Sequence, residues 1–224
     1  MSPTPFGQIW SYPNNPRVMK AQAAANINNL SVPYVPDFVM RETNQTPSFL
    51  AKFPHGKVPA FESADGKVTL FESDAIAQYI ADSGPAADQL LGETPLRRAL
   101  IRQWICFADG DVQNPVIDLV LPRMKYRAFD AAVEEAAVGK IERAFRTLEK
   151  ALEGQEWLAG GEKVSLGDIT VASALVWGFS TAIDREIREK FPKAMEWYKR
   201  VVETQGVKEA FGVLQYVEKR EVPV

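Results

Sequence analysis

Reactive side chains are scarce in this chain. Cys106 is the only cysteine and His55 the only histidine among 224 residues. A single cysteine excludes an internal disulfide and a C-x-x-C redox pair, and a single histidine excludes a His-pair zinc motif. No G-x-G-x-x-G or Walker sequence occurs, so dinucleotide and P-loop chemistry have no support. No apolar run reaches the ~18 residues needed to cross a bilayer. The opening MSPTPFGQ carries neither the basic nor the apolar region of a secretory signal. Excess charge is missing too: Lys plus Arg number 26 against 29 Asp plus Glu, a net charge of −3. That balance, without clustered cations, leaves no nucleic-acid footprint and no polybasic membrane patch. The closing EVPV is no obvious address signal. The expectation is a cytoplasmic protein with no nucleic-acid or membrane partner and no metal.

What is present is ordinary globular material, 46% apolar and 25% charged. Up to residue 82, short β-like and helical runs alternate. GQIW (7–10) predicts a strand, Pro16 to about Asn28 a helix, and VPYV (32–35) a second strand, broken by Pro33 and Pro36. TPSFLAKF (46–53) predicts a short helical turn. VPAF (58–61) and VTLF (68–71) predict a hairpin across Asp65-Gly66, and a helix follows over 73–82. Residues 83–93, rich in Gly, Pro and Ala, read as a linker.

From residue 94 onward the pattern is helical. Thr94 and Pro95 form an N-cap and N1 pair opening a helix to about Val112. Its apolar sets, Ile101, Ile105, Ala108 and Leu100, Trp104, Phe107, are read as opposite faces of a central helix. Another helix carries Val138, Ile141, Phe145, Leu148 and Leu152 on one side. Ser165-Leu-Gly-Asp168 is a capping box with Val164 as its staple, opening a buried helix. Further helices are expected over 191–203 and 207–217.

Three stretches carry a resemblance: FPHGKVPAFE, LFESDAIAQYI and WLAGGEKVSLGDITVAS, in this order and spacing. The chain resembles the cytosolic glutathione transferase family over nearly its whole length. That implies an α/β, thioredoxin-like, glutathione-binding domain over 1–82, the linker 83–93, and an all-helical domain over 94–224. SYPNNPRVMKAQAAA, ESDAIAQYIADSGP and TPLRRALIRQWICFADGD also look like the transferase-like domain of fungal translation elongation factor gamma subunits. Full gamma subunits continue through a Lys-rich linker into a second domain, whereas this chain stops at EKREVPV. A stand-alone transferase of that branch is the expectation, a fragment the alternative.

The resemblance explains a proline inside a predicted strand, where its missing N–H is a liability. In such folds the Val-Pro pair is cis, so Pro59 is expected to leave the Val58 backbone free for the cysteinyl unit of glutathione. Ser73, opening a helix, is implied to receive the γ-glutamyl carboxylate, with Glu72 near the amino group. Lys57 is placed to reach the glycyl carboxylate, with Gln45 a second candidate. Relatives often carry His-Lys where this chain has Asn44-Gln45. The thiolate donor is sought in SYPNNPR. Serine-type relatives place their serine four residues before the first-helix arginine, and that count from Arg17 lands on Pro13. Ser11, then Asn14, then Tyr12 remain.

Two functions stand open: conjugation of glutathione to small electrophiles by a homodimer, and a non-catalytic module docking translation elongation factor subunits. Phe107, Trp177 and Phe179 belong either to an electrophile pocket or to the core. Cys106 is expected to pack as a small apolar residue, His55 to be a loop residue, and Asp168 to be structural.

Overall fold

The computed structural model describes residues 5–223; the first four residues of MSPTPFGQ, with which the expected domain 1–82 begins, and Val224 lie outside. Strand β1 (Gly7–Trp10) leads to α1 (Pro16–Ile27), a short helix α2 (Pro47–Lys52), the hairpin β2 (Ala60–Ser63) and β3 (Thr69–Phe71), and α3 (Ser73–Asp82). The sheet is antiparallel in the order β1-β2-β3, with Trp10 opposite Ala60 and Ala60 opposite Phe71. Gly7 lets β1 and β2 come together, because a Cβ there would lie 2.4 Å from the Phe61 ring. The hairpin turns on Gly66, whose φ of +70° suits glycine.

The strand expected over 32–35 is reduced to one parallel bridge, Ile9 to Tyr34. Ile9 N–H donates to Pro33 O at 2.9 Å and Val35 N–H to Ile9 O at 2.9 Å. Pro33 and Pro36 have no N–H to extend the ladder.

Residues 83–93 hold a helical turn, α4 (Ala87–Leu91), whose Leu90 is fully buried. Helix α5 (Pro95–Phe107) is capped by the Thr94 hydroxyl as expected but ends five residues early. A π-helical turn, Ala108–Gln113, follows, and then α6 (Asn114–Arg123), which the sequence reading did not foresee. Helix α5 is not buried all round. At 100° per residue its two apolar sets span one arc of about 160°, not two faces. Ile101, Trp104 and Ile105 face the core, while Arg102, Gln103 and Cys106 are exposed. The expectation that Cys106 packs inside is therefore wrong.

Helix α7 (Ala131–Ala151) starts on the Asp130 carboxylate cap. Helix α8 (Leu166–Thr181) is buried on every side along most of its length and packs against α1, α3, α5 and α6. It therefore ties the α/β half to the helical half. Its capping box has both reciprocal bonds, as Ser165-x-x-Asp168 predicts. Trp177 is half-buried against the core, and Phe179 lies within it. Helices α9 (Arg185–Glu189), α10 (Pro192–Glu203) and α11 (Val207–Phe211) complete the half. Helix α9 was not expected, and α11 stops well short of 217 because Gly212 turns the chain out at φ +64°.

A small separate cluster of Phe49, Phe53 and Ala60 packs with Trp10 and Val58. Trp10 stands edge-on to Phe49 at 5.6 Å, and Phe49 lies 4.9 Å from Phe53. Each buried phenylalanine contributes roughly 1.5–3 kcal/mol. This cluster fixes the segment that enters β2 through Val58 and Pro59.

Candidate active site

The Val58–Pro59 bond is cis. Val58 lies outside the strand register, and neither its N–H nor its C=O has a hydrogen-bond partner among the described residues. Upstream, Asn44 Nδ2 donates to Gly56 O at 2.5 Å, and Gln45 Nε2 donates to the same oxygen at 3.3 Å. Asn44 is buried and Gln45 exposed. Asn44 and Gln45 thus clamp the loop just before Lys57.

β3 runs into α3 through Glu72, whose φ of +69° is a left-handed conformation rare for glutamate. Such a residue costs on the order of 1–3 kcal/mol and persists only where the surroundings impose it. The first turn of α3 then begins at Ser73 with no side-chain cap from Glu72. Its first N–H groups lack intrahelical partners and carry the positive end of the helix dipole.

These parts meet in one cleft of about 680 Å³. Lys57, Val58, Pro59, Glu72 and Ser73 all line it. Gln45 does not, and touches it only through Gly56. Ser11, Tyr12 and Asn14 are not lining residues either. Ser11 is buried, with Oγ accepting from Asn15 Nδ2 at 3.1 Å. Asn15 Oδ1 in turn caps α1 by accepting from Arg17 N–H at 3.0 Å. Asn14 is exposed at φ +59°. Tyr12 is half-buried, and burial pushes its phenol up against the opposing charge of Arg17.

Arg17, His55, Arg102 and Asp109 also line the cleft, and sequence reasoning gave none of them a binding role. His55 is exposed and sits 5.8 Å from the Phe71 ring. Arg17, Lys57 and Arg102 form no ion pair among the described residues. Under the cleft, buried Lys20 of α1 pairs with Asp74 of α3. Burial pushes the Lys20 ammonium down, opposed by Asp74. Within the described residues no group of three or more His, Cys, Asp and Glu side chains is arranged to hold a metal. No described helix is long and apolar enough to cross a membrane.

An unpaired backbone edge, a helix N-terminus and free cations are groups that can pair with a short, anionic peptide. With a thioredoxin-like half and an all-helical half, they define the glutathione-transferase class of fold. Comparison with known proteins agrees. Residues 6–82 match the family profile described as Glutathione S-transferase, N-terminal domain, and residues 112–204 match Glutathione S-transferase, C-terminal domain. The chain belongs to the glutathione S-transferase family.

Glutathione S-transferase-like protein LUC7 of Fusarium sp is 47% identical over 97% of this chain and 98% of its own length. Elongation factor 1-gamma of Danio rerio is 34% identical over 95% of this chain but only 47% of its own length. The theta class glutathione S-transferase of Xanthomonas axonopodis pv. citri, solved with glutathione bound, superposes with a TM-score of 0.79. It is 26% identical, covering 93% of this chain and 98% of that one.

Proposed function

We propose that this protein is a glutathione transferase joining glutathione to small electrophiles. The observation that carries the reading is that the free Val58 backbone and the α3 N-terminus at Ser73 share one cleft. The cysteinyl main chain pairs with Val58 beside Pro59. The γ-glutamyl carboxylate lies on the Ser73 N–H and hydroxyl, with Glu72 near the ammonium. Lys57 meets the glycyl carboxylate, on a loop that Gln45 helps to hold. In this division residues 1–82 bind glutathione, 83–93 join the halves, and 94–224 shape the electrophile pocket.

A thiol with an ordinary pKa of ~8.5 is largely protonated at neutral pH, so a donor that stabilises the anion raises the reactive fraction. Ser11 takes that role in this account. Asn15 Nδ2 occupies an Oγ lone pair, which leaves the hydroxyl proton free to donate. Asn14 and Tyr12 are the other candidates. The thiol proton passes to solvent, and the thiolate attacks an electrophilic carbon. A C–S bond forms, and the leaving group departs with its electron pair. No metal enters the step. A cytoplasmic homodimer acting in detoxification is the physiological form of this reading.

Two observations favour a second reading. The likeness to Elongation factor 1-gamma covers 95% of this chain, and Pro13 stands where a serine-type enzyme has its donor. A docking module for elongation factor subunits would keep the fold without turnover. Incubation with glutathione and a chloronitroaromatic electrophile separates the two. Thioether formation above the uncatalysed rate supports the enzyme. Glutathione binding without it supports the module.

A further inference from the structure

Past Gly212 the chain has neither helix nor strand among the described residues, yet it is tied down across the helical half. Val217 N–H donates to Phe179 O at 2.8 Å, and Arg188 Nη1 donates to Val217 O at 2.6 Å. Tyr216 packs against Phe179 at 5.6 Å, with the Arg188 guanidinium over its ring. Arg220 N–H donates to Asp184 Oδ2 at 3.1 Å. These contacts lay the segment over the end of α8 and the start of α9.

Its far end meets another part of the fold. Arg123, the last residue of α6, grips Glu134 of α7 through two bonds at 2.8 and 2.7 Å. The same guanidinium donates to Glu221 O at 2.9 Å, and Arg220 Nε stands 3.5 Å from the Glu134 carboxylate. Glu134 is therefore shared between an arginine of the helical body and one of the tail. Pro223 borders a hollow of about 440 Å³ together with Lys125, Tyr126 and Phe129 of the α6–α7 connection. Burial raises the Tyr12 phenol, Arg17 opposes this, and Tyr126 adds to the rise, so Tyr126 stands within electrostatic reach of the loop of candidate thiolate donors.

The fastening is built to release. Val213, Glu218, Lys219, Glu221 and Val222 are exposed, so little apolar area holds the segment down. A cavity of about 380 Å³ stays open between it and the ends of α6 and α8. Arg123 Nε and Arg220 Nη1 are buried without a partner among the described residues, and such donors weaken the docked state. Segments held in this way open locally at far less cost than global unfolding.

We propose that residues 213–223 form a detachable strap whose docking at Arg123 and Glu134 fixes the α6–α7 connection. Docked, the strap holds Tyr126 toward the donor loop and shapes the electrophile's approach to it. Undocked, it frees residues 124–130 and loosens that approach. The effect on the electrophile rests on the glutathione reading above, whereas the hold on the connection does not.

The test is hydrogen–deuterium exchange of wild type, Arg220→Ala and Arg220→Lys, with conjugation kinetics on the same samples. Arg220→Ala should speed exchange about fivefold, the size of one partly exposed ion pair, both in 217–223 and in 124–130. Helix α8 should stay protected, which also checks that the variant is folded. Arg220→Lys keeps the charge and should restore part of the protection. KM for the electrophile should rise by a similar factor in Arg220→Ala, with KM for glutathione unchanged. Faster exchange in 217–223 alone, or in neither segment, overturns the strap, and an unchanged KM for the electrophile overturns its effect on the approach. If wild type conjugates nothing, the glutathione reading has failed, and exchange still decides whether the strap holds the connection.

Discussion

Lys20 of α1 and Asp74 of α3 form an ion pair beneath the helix turn that faces the cleft, with the lysine side chain only 8% exposed. The pair joins the first helix to the turn that carries Ser73. Removing the cation leaves a half-buried carboxylate without its partner. Lys20→Met should cost about 3 kcal/mol of stability in urea unfolding. Lys20→Met with Asp74→Asn should recover part of that loss, since no charge is then left unpaired. An additive double variant would contradict the coupling.

Glu62 gives a pH prediction. Burial alone would raise its carboxyl, but hydrogen bonds from Lys52 at 2.6 Å and Gln8 at 3.3 Å hold it below its ordinary value of 4.5. The unfolded chain therefore binds this proton more tightly than the folded one. The group's contribution is present above pH 4.5 and is lost as pH falls through the lower folded value. Glu62→Gln should flatten the acid limb of a stability profile. An unchanged slope would count against the assignment.

Asp168 is fully buried and accepts from four donors. Leu158 N–H lies at 2.8 Å, Trp197 Nε1 at 2.9 Å, Ser165 N–H at 3.0 Å and Ser165 Oγ at 2.6 Å. Asp168→Ala strands all four in the core. We expect a loss of about 3–5 kcal/mol, read as a lowered denaturation midpoint or as insoluble expression. A near-neutral result would show that the network does not hold α8 to α10.

Ser11→Ala should lower kcat about 100-fold, the scale of deleting a donor to a developing anion. Glutathione affinity should fall far less, since the contacts of the peptide main chain and carboxylates at Val58, Ser73 and Lys57 remain in place. Asn14→Ala and Tyr12→Phe should have smaller effects. If Tyr12→Phe gives the largest loss, the phenol is the donor and Ser11 merely seats Asn15.

What the sequence revealed was mostly local. The box from Ser165 to Asp168 declares itself within four residues, the turn at Asp65-Gly66 within two, and α3 matches its predicted span. What it hid depends on tertiary packing. Arg102 and Asp109 look like surface charges until α5 and the π-turn are folded against the α/β half. Asn44 reads as a loop residue until Gly56 lies under its amide. The strand interrupted by Pro33 and Pro36 shrinks to the single bridge at Tyr34, a degree of interruption that the sequence does not specify. The apolar positions of α5 form one broad arc and not two opposite faces, which leaves Cys106 on the exposed side.

The most direct measurement is calorimetric titration of glutathione into wild type and Ser73→Ala. The account predicts binding by wild type and roughly tenfold weaker binding by the variant, the loss of one hydrogen bond to a carboxylate. A folded wild-type protein that takes up no glutathione at millimolar concentration would contradict it and leave the cleft to a different ligand.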